Sequence, residues 1–353
     1  MFMWLKNTFS KASVSFLLLN KALLTTLAFQ QPFQQSKYTP LVAQTIPEFQ
    51  SFFPSWLKED FTGLEPGDYV FNFTDDLIRG QPREFLVHVP EMLSHDGSKI
   101  PIFFGLHGMG DSPENFAHGT GMNLASDTHK FLAVYPKGSA LTVDSTSYTW
   151  NAGTCCLSKG DDIKFLNRVM RYLIDSLGEE RVDFDRIFTL GFSAGGAMSY
   201  SWACHNNGLG IDEDGAPLVK FRGIAPMSGS MAGNCDHKFN SNNAFSIAHF
   251  HGTSDPLFPY RYKLYLPIGY KIRTALDTIN FWSNEKFHCK SSSIGYHNGT
   301  VTQHVYQDCL DHRVRVSLVE TQRGKHSWPP AEYVNASDFI WRYFNERDST
   351  SSS

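Results

Sequence analysis

Short apolar runs and amphipathic stretches alternate along the chain from Gly67 onwards. The continuous apolar runs 102–106 and 131–135 are typical of strands that are buried on both faces of a sheet. Residues 162–177 carry apolar side chains at helical spacing. The pattern predicts strands at 69–73, 84–89, 102–106, 131–135, 186–190, 224–227, 246–250 and 314–320, and helices at 162–177, 194–205, 274–282 and 331–344. Strands that alternate with helices indicate an α/β fold, with a mainly parallel central sheet and helices on both faces.

Residues 1–47 differ from the rest of the chain, because they contain four lysines and no acidic residue. An apolar stretch at 14–29 follows a basic start, and 26–28 fits a small-x-small cleavage site. Lys21 interrupts the stretch, which argues against a stable membrane span. We therefore expect a targeting segment and linker, either a signal peptide for secretion or, as the alternative, an organelle transit peptide.

The remaining residues are expected to form one α/β domain at 48–346, followed by a disordered serine-rich tail at 347–353. The net charge of −4 shows no excess of basic residues, so nucleic acid is not an expected partner. The six cysteines lack the paired spacing of a zinc site, and disulfides are the better interpretation. Sequons for N-glycosylation occur at Asn72, Asn298 and Asn335, and they agree with a secretory route.

The segment Gly191-Phe-Ser193-Ala-Gly195 is the only G-x-S-x-G pattern in the chain. An apolar strand runs directly into it and a helical pattern leaves it. A sharp strand-to-helix turn of this kind exposes the serine hydroxyl above the sheet. We therefore predict Ser193 as a nucleophile, in preference to a glycine-rich turn with an incidental serine.

A serine nucleophile needs a base, and the base needs an acid that orients it. In this type of fold both come later in the chain, in loops that follow strands, in the order acid and then histidine. Asp255 follows the strand at 246–250, and His326 follows the strand at 314–320. Other acids (Asp277, Asp308 and Asp311) fall in a predicted helix or before the last strand. Asp255 and His326 are therefore the predicted acid and base.

The tetrahedral intermediate of acyl transfer needs backbone N–H donors. The residue after the nucleophile, Ala194, is predicted to supply one of them. The loop after the third strand, Leu106-His-Gly-Met-Gly-Asp111, is predicted to supply the other from Met109, with Gly108 as the neighbouring possibility. His107 is expected to be structural. His249 and His251 share one face of a strand, but no third metal ligand is evident, so we expect no metal.

These segments, taken together, resemble the polyhydroxybutyrate-depolymerase and feruloyl-esterase group of α/β hydrolases. The resemblance covers roughly residues 80–345, and its motifs appear in family order. They are Leu106-His-Gly, Trp150-Asn-Ala-Gly with Cys155-Cys156, Asp161-Asp162, Val182-Asp-Phe-Asp-Arg-Ile187, Gly191-Phe-Ser-Ala-Gly-Gly196, His251-Gly-Thr-Ser-Asp255 and His326-Ser-Trp-Pro329. The resemblance implies the α/β-hydrolase fold and carboxylic-ester hydrolysis through an acyl-enzyme, with no cofactor.

The resemblance also implies a disulfide between Cys289 and Cys309. It leaves Cys155 and Cys156 to bond Cys204 and Cys235 in an order that stays open. Trp150 and Trp328 are candidates to line the substrate pocket, and ordinary core packing is the alternative for both.

Several functions stay open at this point. A triad specifies acyl transfer but not the leaving group, so a serine peptidase or an acyltransferase on the same fold is an alternative. A catalytically silent binding protein is another. Among ester substrates, phenolic-acid esters of polysaccharide and aliphatic polyesters are the leading candidates, followed by short acetyl esters.

Overall fold

The computed structural model describes residues 66–345, except 79–80, 92–96, 142–146, 157, 159, 209, 212–217, 263–271 and 330–334. The expected leader at 1–47 and tail at 347–353 lie outside these residues. The described strands are β1 (Gly67–Ile78), β2 (Gln81–Val89), β3 (Ile100–Leu106), β4 (Leu132–Pro136), β5 (Ser139–Ala140), β6 (Tyr148–Thr149), β7 (Val182–Phe192), β8 (Gly223–Met227), β9 (Ser246–Gly252), β10 (Ser291–His297), β11 (Val301–Gln307) and β12 (Val316–Thr321). The described helices are α1 (Pro113–Thr120), α2 (Met122–His129), α3 (Asp162–Leu177), α4 (Ala194–Asn207), α5 (Ala275–Asn280) and α6 (Ala336–Asn345).

Within the described residues, ten strands form one sheet in the order β1-β2-β4-β3-β7-β8-β9-β12-β11-β10. The run from β4 through β3, β7, β8 and β9 to β12 is parallel throughout. Antiparallel strands flank it on both sides. This arrangement confirms the predicted α/β fold with a mainly parallel sheet. Since parallel strands point the same way, the loops after β3, β7, β9 and β12 all emerge at one edge of the sheet.

Apolar side chains of the buried strands alternate between two cores, one on each face of the sheet. In β3, Ile102 and Phe104 pack into one core with residues of α3, α4 and α5. Phe103 points to the opposite face, where it packs with residues of α1, α2 and α6. Both faces of the sheet are therefore covered, which explains why the central strands are continuous apolar runs.

Helix α3 begins and ends at the residues that its periodicity predicts. The Asp161 side chain accepts from the Lys164 N–H at 3.1 Å and caps the helix N-terminus. Gly178 follows the last turn, where its N–H donates to the Ile174 carbonyl at 2.9 Å. A capped, strongly amphipathic segment of this length is the easiest element to predict from sequence.

Other elements differ from the sequence prediction. The pattern missed the two short helices α1 and α2, and it also missed the β10–β11 hairpin, whose outer strand is mostly exposed. The helix predicted at 274–282 ends at Asn280 and continues as a π-helical turn, Phe281–Lys286. The last helix begins at Ala336 within the described residues, and 331–334 lie outside them. None of the helices in the described part of the chain is long and apolar enough to cross a membrane.

The cysteine pairing corrects the sequence-based expectation in part. Cys289 bonds Cys309, as the resemblance implied, whereas Cys204 bonds Cys235 and Cys155 bonds its neighbour Cys156. Cys204 on α4 and Cys235 in the loop after β8 have their Cα atoms 5.9 Å apart, a usual separation for a disulfide. Cys204 and Cys235 therefore form a disulfide with each other, so neither is available to bond Cys155 or Cys156.

Peptide mapping of the unreduced protein tests this pairing. We expect linked peptides that join Cys204 to Cys235 and Cys289 to Cys309, while the peptide that carries Cys155 and Cys156 stays unlinked to any other. A linkage from Cys155 or Cys156 to Cys204 or Cys235 would contradict the structure.

Candidate active site

Ser193 occupies the single residue between β7 and α4, with φ 55° and ψ −116°. A positive φ is uncommon for a residue other than glycine, and such strain persists only where the surroundings hold it. The Ser193 N–H donates to the Met227 carbonyl at 2.8 Å. Gly195 lets the turn close, because a Cβ there would lie 2.0 Å from the Leu106 carbonyl oxygen. The G-x-S-x-G segment therefore forms the tight strand-to-helix turn that the sequence predicted.

The three side chains predicted to act together lie in one line of hydrogen bonds. His326 Nε2 is 2.9 Å from Ser193 Oγ, and His326 Nδ1 is 2.8 Å from Asp255 Oδ2. The other carboxylate oxygen of Asp255 accepts from the N–H groups of Leu257 and Phe258 at 2.8 and 2.9 Å. The structure therefore brings Ser193, Asp255 and His326 together, although they are far apart in sequence.

The environment of Asp255 keeps its carboxyl group ionised. Burial on its own raises the pKa of Asp255, but the hydrogen bond and charge of His326, the nearby His251 and the Phe258 N–H outweigh burial and leave that pKa below its ordinary value. An ionised carboxylate only accepts hydrogen bonds, so Nδ1 of His326 carries the proton. In the neutral imidazole, Nε2 is then free to accept the proton of the Ser193 hydroxyl.

The loops that carry Asp255 and His326 are joined by their backbones. The Ser254 N–H donates to the Gly324 carbonyl at 2.9 Å, and the Arg323 N–H donates to Thr253 Oγ1 at 2.8 Å. Gly252 permits the close approach, since a Cβ there would lie 2.3 Å from the Gly324 carbonyl oxygen. These contacts fix the acid and the histidine relative to each other before any substrate arrives.

The predicted oxyanion donors, Ala194 and Met109, belong to two backbone segments near Ser193. Ala194 is the first residue of α4, so its N–H has no acceptor within the helix. Gly108 packs against the nucleophile, because a Cβ on Gly108 would lie 3.6 Å from the Ser193 Cβ. Among the described residues, no carbonyl accepts from the Met109 N–H. Both predicted donors therefore belong to backbone segments next to Ser193.

His107 holds the peptide unit that joins Gly108 to Met109. Its Nδ1 donates to the Gly108 carbonyl at 2.8 Å, and its Nε2 accepts from the Gly138 N–H at 3.0 Å. Burial lowers the pKa of His107, which agrees with a neutral ring in this tautomer. Because a trans peptide directs its C=O and N–H to opposite sides, anchoring the carbonyl also directs the Met109 N–H away from His107.

Trp150 does not reach a substrate surface. Its side chain is fully buried, and its indole Nε1 donates to the His107 carbonyl at 2.9 Å. The next residue, Asn151, donates its N–H to the buried carboxylate of Asp162, which also pairs with Arg83 at 2.8 Å. Trp150 therefore packs against the loop that follows β3 and supports it, as the core-packing alternative expects, and its full burial gives no support to a place in the lining of a substrate pocket.

Trp328 stays partly exposed and packs edge-on against Phe116, with ring centroids 5.8 Å apart. Two phenylalanines that the sequence analysis did not single out lie close to the imidazole of His326. The Phe192 and Phe258 ring centroids lie 5.0 and 5.8 Å from it. Phe192 directly precedes Ser193, and Phe258 follows Asp255 by three residues. These positions in the sequence could have indicated that both rings lie near His326.

Replacing Trp150 with Phe separates its two possible roles. The Trp150→Phe variant loses the donor to the buried His107 carbonyl, which is expected to cost about 1–3 kcal/mol of folding free energy. We expect kcat for a small ester to fall while KM stays unchanged, measured beside thermal unfolding. A raised KM with an unchanged kcat would instead indicate direct substrate contact.

Comparisons with known proteins find similar esterases. Residues 95–267 match the family model described as Phospholipase/Carboxylesterase. Probable feruloyl esterase C of Aspergillus terreus is 27% identical over 266 residues, which cover 74% of this chain and 83% of that protein. Feruloyl esterase C of Emericella nidulans is 30% identical over 178 residues, which cover 50% of this chain and 56% of that protein. The second match therefore spans little more than half of the relative's length.

Two further similarities concern enzymes of xylan. A bifunctional acetylxylan esterase/xylanase of Neocallimastix patriciarum is 23% identical, with 74% of this chain and 33% of that protein covered. The solved structure of acetyl xylan esterase from Aspergillus awamori superposes with a TM-score of 0.51 at 14% identity, covering 78% of this chain and 98% of that one. The structural match supports the fold, and the sequence relatives support the esterase group that the motifs indicated. The chain therefore has an α/β-hydrolase fold, and its sequence is similar to those of the feruloyl-esterase group.

Proposed function

We propose that this chain is a serine carboxylesterase in which Ser193 is the nucleophile, His326 the general base and acid, and Asp255 the residue that orients His326. The observation that carries the proposal is the unbroken line of hydrogen bonds from Ser193 Oγ through His326 to the Asp255 carboxylate. This arrangement activates an otherwise weak hydroxyl nucleophile at neutral pH.

In the first half of the reaction, Ser193 Oγ attacks the ester carbonyl carbon while His326 Nε2 takes the hydroxyl proton. The carbonyl π electrons move onto oxygen, and the N–H groups of Ala194 and Met109 are proposed to stabilise that charge. Each such donor typically contributes a factor of about 10²–10³ in rate. The tetrahedral intermediate collapses, the C–O bond to the alcohol breaks, and His326 returns the proton to the departing oxygen.

In the second half, water replaces the alcohol. His326 Nε2 takes a proton from the water as its oxygen attacks the carbonyl carbon of the acyl-Ser193 ester. Collapse of this second intermediate releases the carboxylic acid, and the proton held by His326 returns to Ser193 Oγ. The imidazolium formed in each half lies close to the aromatic rings of Phe192 and Phe258 and is hydrogen-bonded to the ionised Asp255 carboxylate.

For the substrate class, we propose phenolic-acid esters of polysaccharide, and the Aspergillus terreus and Emericella nidulans relatives support the phenolic acid because they are named feruloyl esterases. Acetyl esters of xylan are the second candidate, supported by the Neocallimastix patriciarum relative. Aliphatic polyesters, which the motif resemblance also implied, have no support among these relatives. A peptidase, an acyltransferase and a silent binding protein are likewise disfavoured by them.

We also propose that the protein matures in an oxidising, secretory compartment. The disulfides of the described residues support this, because such bonds are rare in reducing compartments. Asn298, at the turn between β10 and β11, and Asn335, before α6, are both exposed sequon asparagines and so are candidates for a glycan. The side chains of both also accept hydrogen bonds from nearby backbone N–H groups.

An ester panel tests the proposed activity with the full chain beside its Ser193→Ala variant. The panel holds p-nitrophenyl acetate and butyrate, methyl ferulate, acetylated xylan and a hydroxybutyrate oligomer. We expect the wild type to cleave methyl ferulate with a higher kcat/KM than the oligomer, and the variant to lose at least about 10³-fold in kcat. Preference for acetylated xylan would favour the second candidate. Near-normal activity in a folded Ser193→Ala variant would contradict the assignment of Ser193 as the nucleophile.

A further inference from the structure

A line of buried hydrogen bonds runs from α4 to the loop that carries Asp255. The Tyr200 hydroxyl is 2.8 Å from His249 Nδ1, His249 Nε2 is 2.9 Å from His251 Nδ1, and His251 Nε2 is 2.8 Å from the Phe258 carbonyl oxygen. The exposed fraction of these three side chains is at most 2%. His249 and His251 project from the same face of β9, with their rings stacked 5.1 Å apart.

The direction of every bond in this line follows from its last member. A carbonyl only accepts, so His251 Nε2 carries a proton. Burial lowers the pKa of His251 and outweighs the attraction of Asp255, so the ring is neutral and its Nδ1 accepts from His249 Nε2. Burial, followed by the neighbouring His251, lowers the pKa of His249 well below its ordinary value. Its unprotonated Nδ1 accepts from Tyr200, whose own pKa is raised by burial.

The line ends on the residues that surround the proposed catalytic acid. Phe258 accepts from His251 through its carbonyl, donates its N–H to Asp255 Oδ1 at 2.9 Å, and stacks its ring on His326 at an interplanar angle of 10°. His251 Nε2 also lies 3.5 Å from Asp255 Oδ2, the oxygen that accepts from His326. A shift of His251 would therefore be transmitted to Asp255 along two paths.

We propose that His251 is a positioning residue of this esterase: it holds Phe258 and Asp255 in the orientation that His326 needs, and Tyr200 and His249 hold the His251 ring in place from its other side through the bond to Nδ1. The proposal rests on the triad proposed above. His251 hydrogen-bonds neither Ser193 nor His326 among the contacts described, so it acts through the acid loop. The line also ties α4, which begins beside the nucleophile, to the loop after β9, so the nucleophile and the acid share one rigid support.

Two substitutions of His251 divide its hydrogen bonds between them. An asparagine amide reaches about as far as Nδ1, so His251→Asn keeps the contact with His249 and loses the donor to the Phe258 carbonyl. A glutamine amide reaches about as far as Nε2, so His251→Gln keeps that donor. Trp202→Phe is the matched control, because it removes a buried 2.8 Å hydrogen bond from the same helix to Asn167, away from the acid loop.

The measurements are kcat and KM for p-nitrophenyl butyrate, thermal unfolding, and the far-downfield proton NMR signal of the His326 Nδ1–H bonded to Asp255. For His251→Asn we expect kcat to fall about 10²-fold, as a misplacement of about 1 Å can cause, with KM unchanged and the NMR signal lost. We expect His251→Gln to recover most of the kcat and the signal. Trp202→Phe should lower the unfolding temperature without changing kcat.

A folded His251→Asn variant with the kcat and the NMR signal of the wild type would overturn the proposal. Equal losses of kcat in the asparagine and glutamine variants, with the NMR signal intact in both, would also overturn the proposal. That result would mean that His251 only fills space in the core. If the asparagine variant does not fold, His249→Phe carries the test, since it removes the hydrogen bond that holds His251 at Nδ1; an unchanged kcat in that variant contradicts the proposal. Activity in Ser193→Ala would refute the triad instead, so the two failures are distinguishable.

Discussion

Ser193 is held at φ 55° because the chain must reverse from β7 into α4 within a single residue. That conformation costs of the order of 1–3 kcal/mol, which the surrounding packing must offset. The compensation is visible in the bond from Ser193 N–H to Met227 and in the contact of Gly195 with the Leu106 carbonyl. The same turn places the Ser193 hydroxyl 2.9 Å from His326 Nε2 and starts a helix whose first N–H groups lack acceptors within the helix. The strained turn, the position of the proposed nucleophile and the helix N-terminus beside it are therefore one feature of the backbone.

The remaining parts of the site meet this turn because the central strands are parallel. β3, β7, β9 and β12 all end at the same edge of the sheet, so the loops with Met109, Asp255 and His326 converge on Ser193. Polar groups behind these loops then fix their orientation: His107 anchors the Gly108 carbonyl, and His251 anchors the Phe258 carbonyl. In both cases a buried neutral imidazole donates to a backbone carbonyl. The residues proposed to act on the ester are thus held in place by His107 and His251, which are not themselves proposed to contact it.

The sequence predicts some of this structure well, for identifiable physical reasons. Helix α3 begins at Asp162 and ends at Leu177 as its periodicity indicates, since capping and amphipathic spacing are local properties. Asp255 and His326 were predicted because each follows an apolar strand and comes after Ser193 in the chain, and their side chains do lie within hydrogen-bonding distance of each other. Helix ends and the loops after strands are visible in short-range patterns, and parallel strands bring such loops together at one end of the sheet.

Features that depend on long-range contacts were missed or assigned wrongly. Trp150 was a candidate for substrate contact, but its burial beneath His107 depends on loops that are far apart in sequence. The partners of Cys155 and Cys156 follow from which loops meet, and spacing does not encode that. The Tyr200–His249–His251 line was invisible for the same reason: two histidines on one strand face are ambiguous until their neighbours are known. Exposed β10 gave no apolar alternation to detect.

The most direct test of the account is covalent labelling with diethyl p-nitrophenyl phosphate. A nucleophile activated by His326 should displace p-nitrophenolate and take up a single diethylphosphoryl group, which tryptic mass spectrometry should locate on Ser193. The His326→Ala variant should label far more slowly under the same conditions. An adduct on another residue, or a folded wild-type protein that takes up none, would contradict the claim that Ser193, His326 and Asp255 act as one catalytic unit.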